Sequence, residues 1–262
     1  MAGAKPEAMT TGFSLSGAFL ITGGTRGIGR AISMEFGRAG AHVIANYVRN
    51  EKTAGELKSL TEGEKLRFDL CRADLTTPEG LQKVAAAVEQ TGAPLRGLVH
   101  CAAIGAHRPI VELTVRHLDW TMALNVRSFF ELVKLLLPRL VSGSSILALS
   151  SPGASRAVPD YGVVGASKGA LESLARHLAV ELAPRGIRTN ILSPGAIATD
   201  AWKAIPGGEA KLEEAARRSP LKRLVTPEEV AQAARFLCSP AAAGVNGQTL
   251  LVDGGAGVAS WC

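Results

Sequence analysis

Cysteine, aromatic residues and long apolar runs are all scarce in this sequence of 262 residues. Its four cysteines form neither a CxxC pair nor another metal-ligand spacing, so neither a disulfide framework nor a metal site is expected. Unpaired thiols are typical of the reducing cytoplasm, which is the expected location. Glycine, proline or a charged residue interrupts each apolar stretch, so no segment is expected to span a membrane.

An excess of acidic residues is also lacking, since 29 Lys and Arg residues against 23 Asp and Glu residues give a net charge of +6. The basic residues are scattered along the chain and only 5% of the residues are aromatic, which argues against a nucleic-acid-binding protein. Such a surface favours phosphate groups instead, whether on a phosphorylated cofactor or on an acidic carrier.

Short apolar runs alternate with longer helical patterns along the whole chain. Strands are predicted at 18–22, 42–46, 66–70, 95–101, 145–150, 188–193 and 248–253, and helices at 27–39, 51–60, 78–90, 115–140, 161–183 and 227–238. This alternation predicts an α/β fold, a single Rossmann-type doubly wound parallel sheet with helices on both faces. We expect residues 1–14 to form a flexible tail and residues 15–262 to form one domain.

A glycine-rich segment lies between the first strand and the first helix. Its TGxxxGxG spacing supplies residues without Cβ where the backbone must approach a pyrophosphate, and the N–H groups that open a helix can bind that anion. The segment therefore predicts a dinucleotide site in the first βα unit. The expected contacts are Gly23, Thr25, Arg26, Gly27, Ile28 and Gly29.

The end of the second strand indicates which dinucleotide is bound. An NAD site usually has a carboxylate there for the ribose hydroxyls, but residues 45–49 read Ala-Asn-Tyr-Val-Arg and the first acid is Glu51. Arg26 and Arg49 can instead converge on a 2′-phosphate, to which guanidinium groups are well matched. The predicted cofactor is NADPH.

Further motifs resemble those of the short-chain dehydrogenase/reductase superfamily over about residues 15–256. They are TGGTRGIG, Ala73-Asp74-Leu75, Asn125 in a long helix, Ser150 at a strand end, Lys168, and Ser193-Pro194-Gly195. The resemblance implies further cofactor contacts at Asp74, Leu75, Ala102, Lys168, Pro194, Gly195, Ile197 and Thr199. It also implies catalytic or supporting roles for Asn125, Ser150, Tyr161 and Lys168.

The position of the tyrosine departs from the usual pattern. Most members place it four residues before the lysine, where this chain has Val164, whereas Tyr161 lies seven residues before Lys168. This Tyr-x6-Lys spacing, after a GAxRAxPxY lead, resembles the bacterial enoyl-acyl-carrier-protein reductases, and in particular their NADPH-using branch. Seven residues span about two helical turns, roughly 10.5 Å, so both side chains can face one pocket.

The longer spacing suits hydride transfer to the β-carbon of an enoyl thioester, two bonds beyond the carbonyl carbon. By resemblance, Tyr161 would hydrogen-bond the thioester carbonyl and Lys168 would hold the nicotinamide ribose. The chain departs from the family again at His100-Cys101, where two asparagines are usual, and at Ser151, where many enoyl reductases have a second tyrosine. We expect His100 to be a packed histidine at the end of a strand.

An apolar lid over the substrate is predicted at about residues 196–219, with a hinge at 206–208 and a charged helix after it. The helices at 115–140 and 161–183 carry long apolar faces, and the resemblance implies a homotetramer. On the first of these helices the apolar residues include Phe129, Leu132, Leu136 and Leu140. One such face should cover the sheet, and the remainder should meet a symmetry mate.

Two other functions stay open at this point. One is a carbonyl reductase or alcohol dehydrogenase, such as a 3-oxoacyl or polyketide ketoreductase, that uses Tyr161 in an altered register. The other is an NADPH-binding protein without catalysis, against which the presence of both Tyr161 and Lys168 argues. For the enoyl reductase, two carriers stay open: the acyl group is bound as a thioester either to acyl carrier protein or to coenzyme A.

Replacing Arg26 and Arg49 together by alanine removes the two cations expected to bind the 2′-phosphate. Each lost charge-assisted hydrogen bond costs about 1.5–3 kcal/mol, so the KM for NADPH should rise far more than the KM for NADH. Steady-state kinetics with the two cofactors measure the difference. Equal changes in both constants would contradict the choice of NADPH.

Overall fold

The chain folds around one parallel sheet in a computed structural model, which describes residues 13–199 and 207–258. The strands are β1 (Ala18–Thr22), β2 (His42–Tyr47), β3 (Phe68–Arg72), β4 (Leu95–His100), β5 (Leu140–Leu149), β6 (Arg188–Pro194) and β7 (Thr249–Val252). The helices are α1 (Gly27–Arg38), α2 (Glu51–Gly63), α3 (Pro78–Gln90), α4 (Val115–Met122), α5 (Ser128–Leu136), α6 (Gly162–Leu182), α7 (Gly208–Arg218) and α8 (Pro227–Cys238).

The sheet has the strand order β3-β2-β1-β4-β5-β6-β7, and all neighbours are parallel. Successive residues of β1 face opposite sides: Leu20 belongs to a core cluster with α3, α5 and α6, whereas Phe19 and Ile21 belong to one with α1 and α8. Helices therefore cover both faces, and the predicted fold class is confirmed. The winding direction reverses between β1 and β4, so a crevice opens at the carboxyl ends of these strands.

The helix predicted at 115–140 is shorter and interrupted. It consists of α4, a π-helical turn (Ala123–Arg127) and α5, which ends at Leu136. Pro138 has no N–H to donate and disfavours a helical conformation in the residue before it, so the chain leaves the helix there. Leu140 belongs to β5, which begins earlier than the predicted residue 145. Likewise, β3 covers 68–72 rather than 66–70.

The apolar residues named for the first long helix, Phe129, Leu132, Leu136 and Leu140, are all buried in the core of the chain. They form the face that covers the sheet. The exposed aromatic residue of α5 is Phe130, whose exposed fraction is 46%. Phe130 therefore belongs to the part of α5 that is left for a symmetry mate.

The ordered N-terminal part begins earlier than residue 15, since Phe13 already contacts α8. Its carbonyl accepts a hydrogen bond of 2.6 Å from Arg235 Nε, and its ring centroid lies 6.1 Å from that of Phe236. The remainder of the predicted tail, 1–12, lies outside the described residues. Within the described part of the chain, no helix is both long enough and apolar enough to cross a membrane.

A buried histidine joins the ends of β1 and β4. Thr22 Oγ1 accepts hydrogen bonds of 3.0 Å from the N–H groups of Cys101 and Ala102, and it lies 3.2 Å from His100 Nδ1. Because both acceptor positions of this hydroxyl are filled, its hydrogen points to Nδ1 and the imidazole proton lies on Nε2. His100 is thus a packed histidine, as the sequence predicted.

Burial and the nearby Lys168 ammonium lower the pKa of His100 to about 3, although the backbone carbonyl groups of Asn125 and Leu124 act in the opposite direction. Nε2 itself forms no hydrogen bond of standard geometry with the described residues. The imidazole is therefore neutral over the physiological pH range.

This buried imidazole should make the fold sensitive to acid. Below its ordinary pKa of 6.5 the unfolded chain binds a proton that the folded chain refuses until about pH 3, so stability falls as the pH falls through this window. The slope reaches about 1.4 kcal/mol per pH unit. In His100→Asn, the urea-unfolding free energy should therefore fall less steeply between pH 7 and about pH 4. Parallel slopes for both proteins would contradict the prediction.

Candidate active site

The glycine-rich loop between β1 and α1 fits a dinucleotide pyrophosphate. Gly23 and Gly27 have φ angles of 64° and 52°, which favour glycine. A Cβ on Gly29 would lie 2.1 Å from the Gly23 carbonyl oxygen, and one on Gly23 would lie 3.1 Å from Ala102 Cα. The loop is therefore closed as tightly as glycine permits, and the free N–H groups at the start of α1 face the crevice.

The end of β2 offers positive rather than negative charge. Arg26 and Arg49 are exposed, and neither guanidinium group has a hydrogen bond or ion pair with another described side chain. Asn46 is buried and donates to the carbonyl groups of Cys71 and Ala73, so it does not extend into the crevice. The acid that follows, Glu51, is paired with Arg72. Whether Arg26 and Arg49 bind a 2′-phosphate stays a prediction.

The other predicted cofactor contacts divide between the crevice and the core. Asp74 is exposed and holds Thr76 through hydrogen bonds of 2.9 and 2.7 Å, whereas Leu75 is buried in the core, so only its backbone can reach a ligand. Thr199 lies beside the glycine loop, since a Cβ on Gly27 would come within 3.5 Å of its Cγ2. Thr25 is almost completely buried, and Ile28 is partly buried.

The segment after β6 returns towards the glycine loop. Pro194 ends β6, Gly195 donates to the carbonyl group of Val252, and Ile197 is buried in a parallel bridge with Val225. The lid predicted at 196–219 is described only in part, because residues 200–206 lie outside the described residues. Beyond them α7 is the charged helix that the sequence predicted, and it buries only Gly208.

Lys168 lies within α6, and its ammonium group reaches the carboxyl end of β5. Its Nζ donates a 2.6 Å hydrogen bond to the carbonyl group of Leu149 at the end of β5. Burial lowers the pKa of this ammonium to about 8, and the nearby Cys101 thiol acts in the opposite direction. Lys168 is therefore a buried cation whose pKa lies close to neutral pH. The sequence predicts that it binds the nicotinamide ribose.

Tyr161 caps the N-terminal end of α6. Burial raises the pKa of its hydroxyl, and Ser151 acts in the opposite direction, although Ser151 Oγ forms no hydrogen bond of standard geometry. The Tyr161 hydroxyl is thus protonated at neutral pH and can donate a hydrogen bond. One edge of its ring packs against Gly153, where a Cβ would lie 2.5 Å from the ring.

Asn125 ties the loop after β4 to α6. From the π-helical turn, its Oδ1 accepts from the N–H of Ile104 at 2.8 Å, while its Nδ2 donates to the Ile104 carbonyl group and to Ser167 Oγ at 2.9 Å each. All these groups are buried or nearly so. Asn125 therefore supports the site, because it fixes the loop that borders Tyr161 and binds Ser167, the residue before Lys168.

The structure does not bring Ser150 to the tyrosine. Its Oγ donates a 2.6 Å hydrogen bond to Glu172 of α6, so the supporting role predicted for it has no geometric basis. The adjacent Ser151 points to the other side of the chain and is the serine that affects Tyr161. The two side chains differ because successive residues of an extended segment face opposite sides.

Sequence reasoning missed two residues of the loop after β4, Gly105 and His107. Val164, at the usual tyrosine position, is buried, and a Cβ on Gly105 would lie 2.1 Å from its Cγ2. Further along the loop, the His107 ring lies 5.4 Å from the Tyr161 ring, tilted by 51°. The loop is irregular, so its sequence carried no periodic signal for either contact.

Replacing Lys168 by methionine should stabilise the protein purified without cofactor. A pKa of about 8 instead of 10.5 means that burying the charge costs about 3 kcal/mol below pH 8, against about 1.5–3 kcal/mol for the lost charge-assisted hydrogen bond, so the net stabilisation is small. Because the native pKa is lowered, this cost fades as the pH rises from 8 to 10.5. Urea unfolding at pH 7 and about pH 9.5 should show a stabilising effect that shrinks at the higher pH. A destabilised variant at pH 7 would contradict it.

Comparison with known proteins identifies the family. Residues 23–257 match the family described as Enoyl-(Acyl carrier protein) reductase. The 1-cyclohexenylcarbonyl-CoA reductase of Streptomyces collinus is 36% identical over 90% of this chain and 85% of its own length. The 7alpha-hydroxysteroid dehydrogenase of Escherichia coli is 34% identical over 90% and 92%. The enoyl-[acyl-carrier-protein] reductase [NADH] of Bacillus subtilis is 31% identical over 93% and 97%.

Solved structures agree with these relatives. A dehydrogenase/reductase from Sinorhizobium meliloti has a TM-score of 0.88 and 33% identity, covering 95% of this chain and 98% of that chain. A short chain dehydrogenase from Burkholderia cenocepacia in complex with NADP has a TM-score of 0.85 and 29% identity, covering 94% and 99%. The chain is therefore an oxidoreductase that belongs to the short-chain dehydrogenase/reductase superfamily, whose members bind a nicotinamide cofactor, and within it the chain resembles the enoyl-acyl-carrier-protein reductases.

Proposed function

We propose that this chain reduces the carbon-carbon double bond of an enoyl thioester with NADPH. The observation that carries the proposal is the register of the tyrosine. The chain has two tyrosines, at positions 47 and 161; Tyr47 ends β2, whereas Tyr161 begins α6, the helix that carries Lys168. The position four residues before Lys168 holds Val164, packed under Gly105. The proton donor is thus set about one helical turn further from the lysine than in ketone-reducing relatives.

The residues divide the work as follows. When bound, the dinucleotide supplies a hydride to the β-carbon of the substrate. The protonated Tyr161 hydroxyl donates to the thioester carbonyl oxygen, where negative charge develops as the enolate forms, and a proton taken from solvent at the α-carbon then completes the reduction. Lys168, held by Leu149, would bind the nicotinamide ribose, and its positive charge favours the developing anion. Ser151 lies on the same side and assists Tyr161.

NADPH is proposed because Arg26 in the glycine loop and Arg49 after β2 form no ion pair with any described side chain, and the nearby Glu51 is paired with Arg72. The Burkholderia neighbour is a complex with NADP, whereas the Bacillus relative is named for NADH. Guanidinium groups match a 2′-phosphate better than a ribose hydroxyl. The two unpaired arginines therefore outweigh the mixed names of the relatives.

A ketone reductase is the second candidate. It is favoured by the 34% identity to a hydroxysteroid dehydrogenase, a protein named for a secondary alcohol. Against it stands the missing tyrosine at 164. A protein that binds NADPH without catalysis is less well supported, because the chain retains both Tyr161 and Lys168.

The carrier, the assembly and the location are further parts of the proposal. We expect an acyl thioester, on acyl carrier protein or coenzyme A, in the cytoplasm and within a pathway such as fatty acid biosynthesis. For the homotetramer, exposed apolar residues are available on the helices that do not cover the sheet completely. They include Trp120 on α4, Phe130 on α5 and Val180 on α6, the last with an exposed fraction of 76%.

Tyr161→Phe tests the proposed function. The variant keeps the ring packed between Gly153 and His107 but loses the hydroxyl, so it should fold and bind NADPH as the wild type does. Losing one hydrogen bond to a developing oxyanion costs about 2.7–4 kcal/mol, or 100- to 1000-fold in kcat. The oxidation of NADPH by crotonyl-CoA, followed by absorbance, measures this loss.

Acetoacetyl-CoA serves as the matched substrate, because it presents a ketone on the same carrier. If Tyr161→Phe turns over crotonyl-CoA as fast as the wild type, Tyr161 takes no part in the reaction. If the wild type turns over acetoacetyl-CoA and not crotonyl-CoA, the fold and the family assignment stand, but the proposed reaction is the reduction of a ketone.

A further inference from the structure

The residue before Tyr161 has an unusual backbone conformation. Asp160 has a φ angle of 60°, in the left-handed region that residues with a Cβ rarely adopt. Aspartate tolerates this region better than most residues. Because Asp160 directly precedes Tyr161, its backbone angles determine how the tyrosine enters α6 and therefore where its ring points.

The side chain of Asp160 is attached to another element. Its Oδ2 lies 3.6 Å from Nζ of Lys211, in the first half of α7. Because α7 buries only Gly208, this ion pair is one of few contacts between the N-terminal half of α7 and the rest of the described chain. The pair thus connects a loosely packed helix to the residue that precedes the tyrosine.

A third group lies over the same place. The ring of His107 contacts the ring of Tyr161. Burial lowers the pKa of His107, Lys211 lowers it further, and Asp160 raises it, so both members of the ion pair act on this imidazole. The His107 ring has no hydrogen bond with any described residue, and its plane is tilted by 51° to that of Tyr161. These four side chains form one connected cluster at the start of α6.

We propose that Asp160 and Lys211 are positioning residues, which hold Tyr161 against His107 and make its placement depend on α7. The proposal rests on the proposed function, in which Tyr161 polarises the substrate carbonyl. Neither residue touches the reacting atoms in this account. Their effect passes through the backbone at 160 and through the contact between the rings of His107 and Tyr161.

The test separates charge from backbone conformation. Asp160→Asn removes the charge while keeping a residue type that tolerates a left-handed φ, and Lys211→Met removes the partner charge at similar length. An exposed ion pair contributes a factor of about 1.4 to 5. Each variant should therefore lower kcat for crotonyl-CoA by about two- to fivefold and leave the Kd for NADPH unchanged.

Two further variants distinguish positioning from general damage. In the reversed pair, Asp160→Lys with Lys211→Asp, the attraction is restored, and Lys65 and Lys222 already show that lysine takes φ angles of 55° and 57° in this chain. The reversed pair should recover most of the lost kcat. Glu62→Gln, which breaks an exposed ion pair of 3.8 Å to Lys58 within α2, is the matched control and should leave kcat unchanged.

A second readout does not depend on turnover. In NMR titrations, the pKa of His107 should move down in Asp160→Asn and up in Lys211→Met, because the two charges act on it in opposite directions. An unchanged kcat in both single variants would overturn the proposal, and so would losses that the reversed pair does not recover. If the wild type reduces acetoacetyl-CoA instead of crotonyl-CoA, the proposed function fails, and the same variants test the pair on the ketone.

Discussion

The three hydrogen bonds of the Asn125 amide are the constraint on which the rest of the site depends. A buried amide must find partners for its donors and its acceptor, or it destabilises the fold. Asn125 finds them on Ile104 and Ser167, and so joins an irregular loop to α6. The π-helical turn between α4 and α5 carries this amide. With the loop fixed, Gly105 lies over Val164 and His107 over Tyr161.

Much of the fold follows from the sequence because apolar periodicity and glycine placement report backbone geometry directly. The strands, most helix positions and the glycine loop are of this kind. The predicted helix through residue 140 was wrong, since apolar residues on both sides of Pro138 satisfy a helix and a strand equally well. The fate of Leu140 is decided by pairing with Leu95 of β4, a partner distant in sequence.

The site, like the fold, contains residues that the sequence could predict and residues that it could not. The positions of Tyr161 at the start of α6 and of Lys168 within it follow from the predicted helix, whereas the roles given to the two side chains stay predictions. Ser150 and Ser151 were not distinguishable, since both are serines at the end of one strand and only the contact with Glu172 separates them. His107 gave no signal at all. Its role comes from a loop whose path is set by Asn125, far away along the chain.

The contact between Gly105 and Val164 has a consequence for how this protein could have diverged from its relatives. A tyrosine at position 164 would need the volume that the loop backbone now occupies, and overpacking of this kind costs about 1–3 kcal/mol. The identity of residue 164 is therefore epistatic with the path of the loop at 105. An evolutionary route between the two tyrosine registers must remodel the loop before, or together with, the arrival of the new tyrosine, so single substitutions at 164 are selectively disfavoured intermediates.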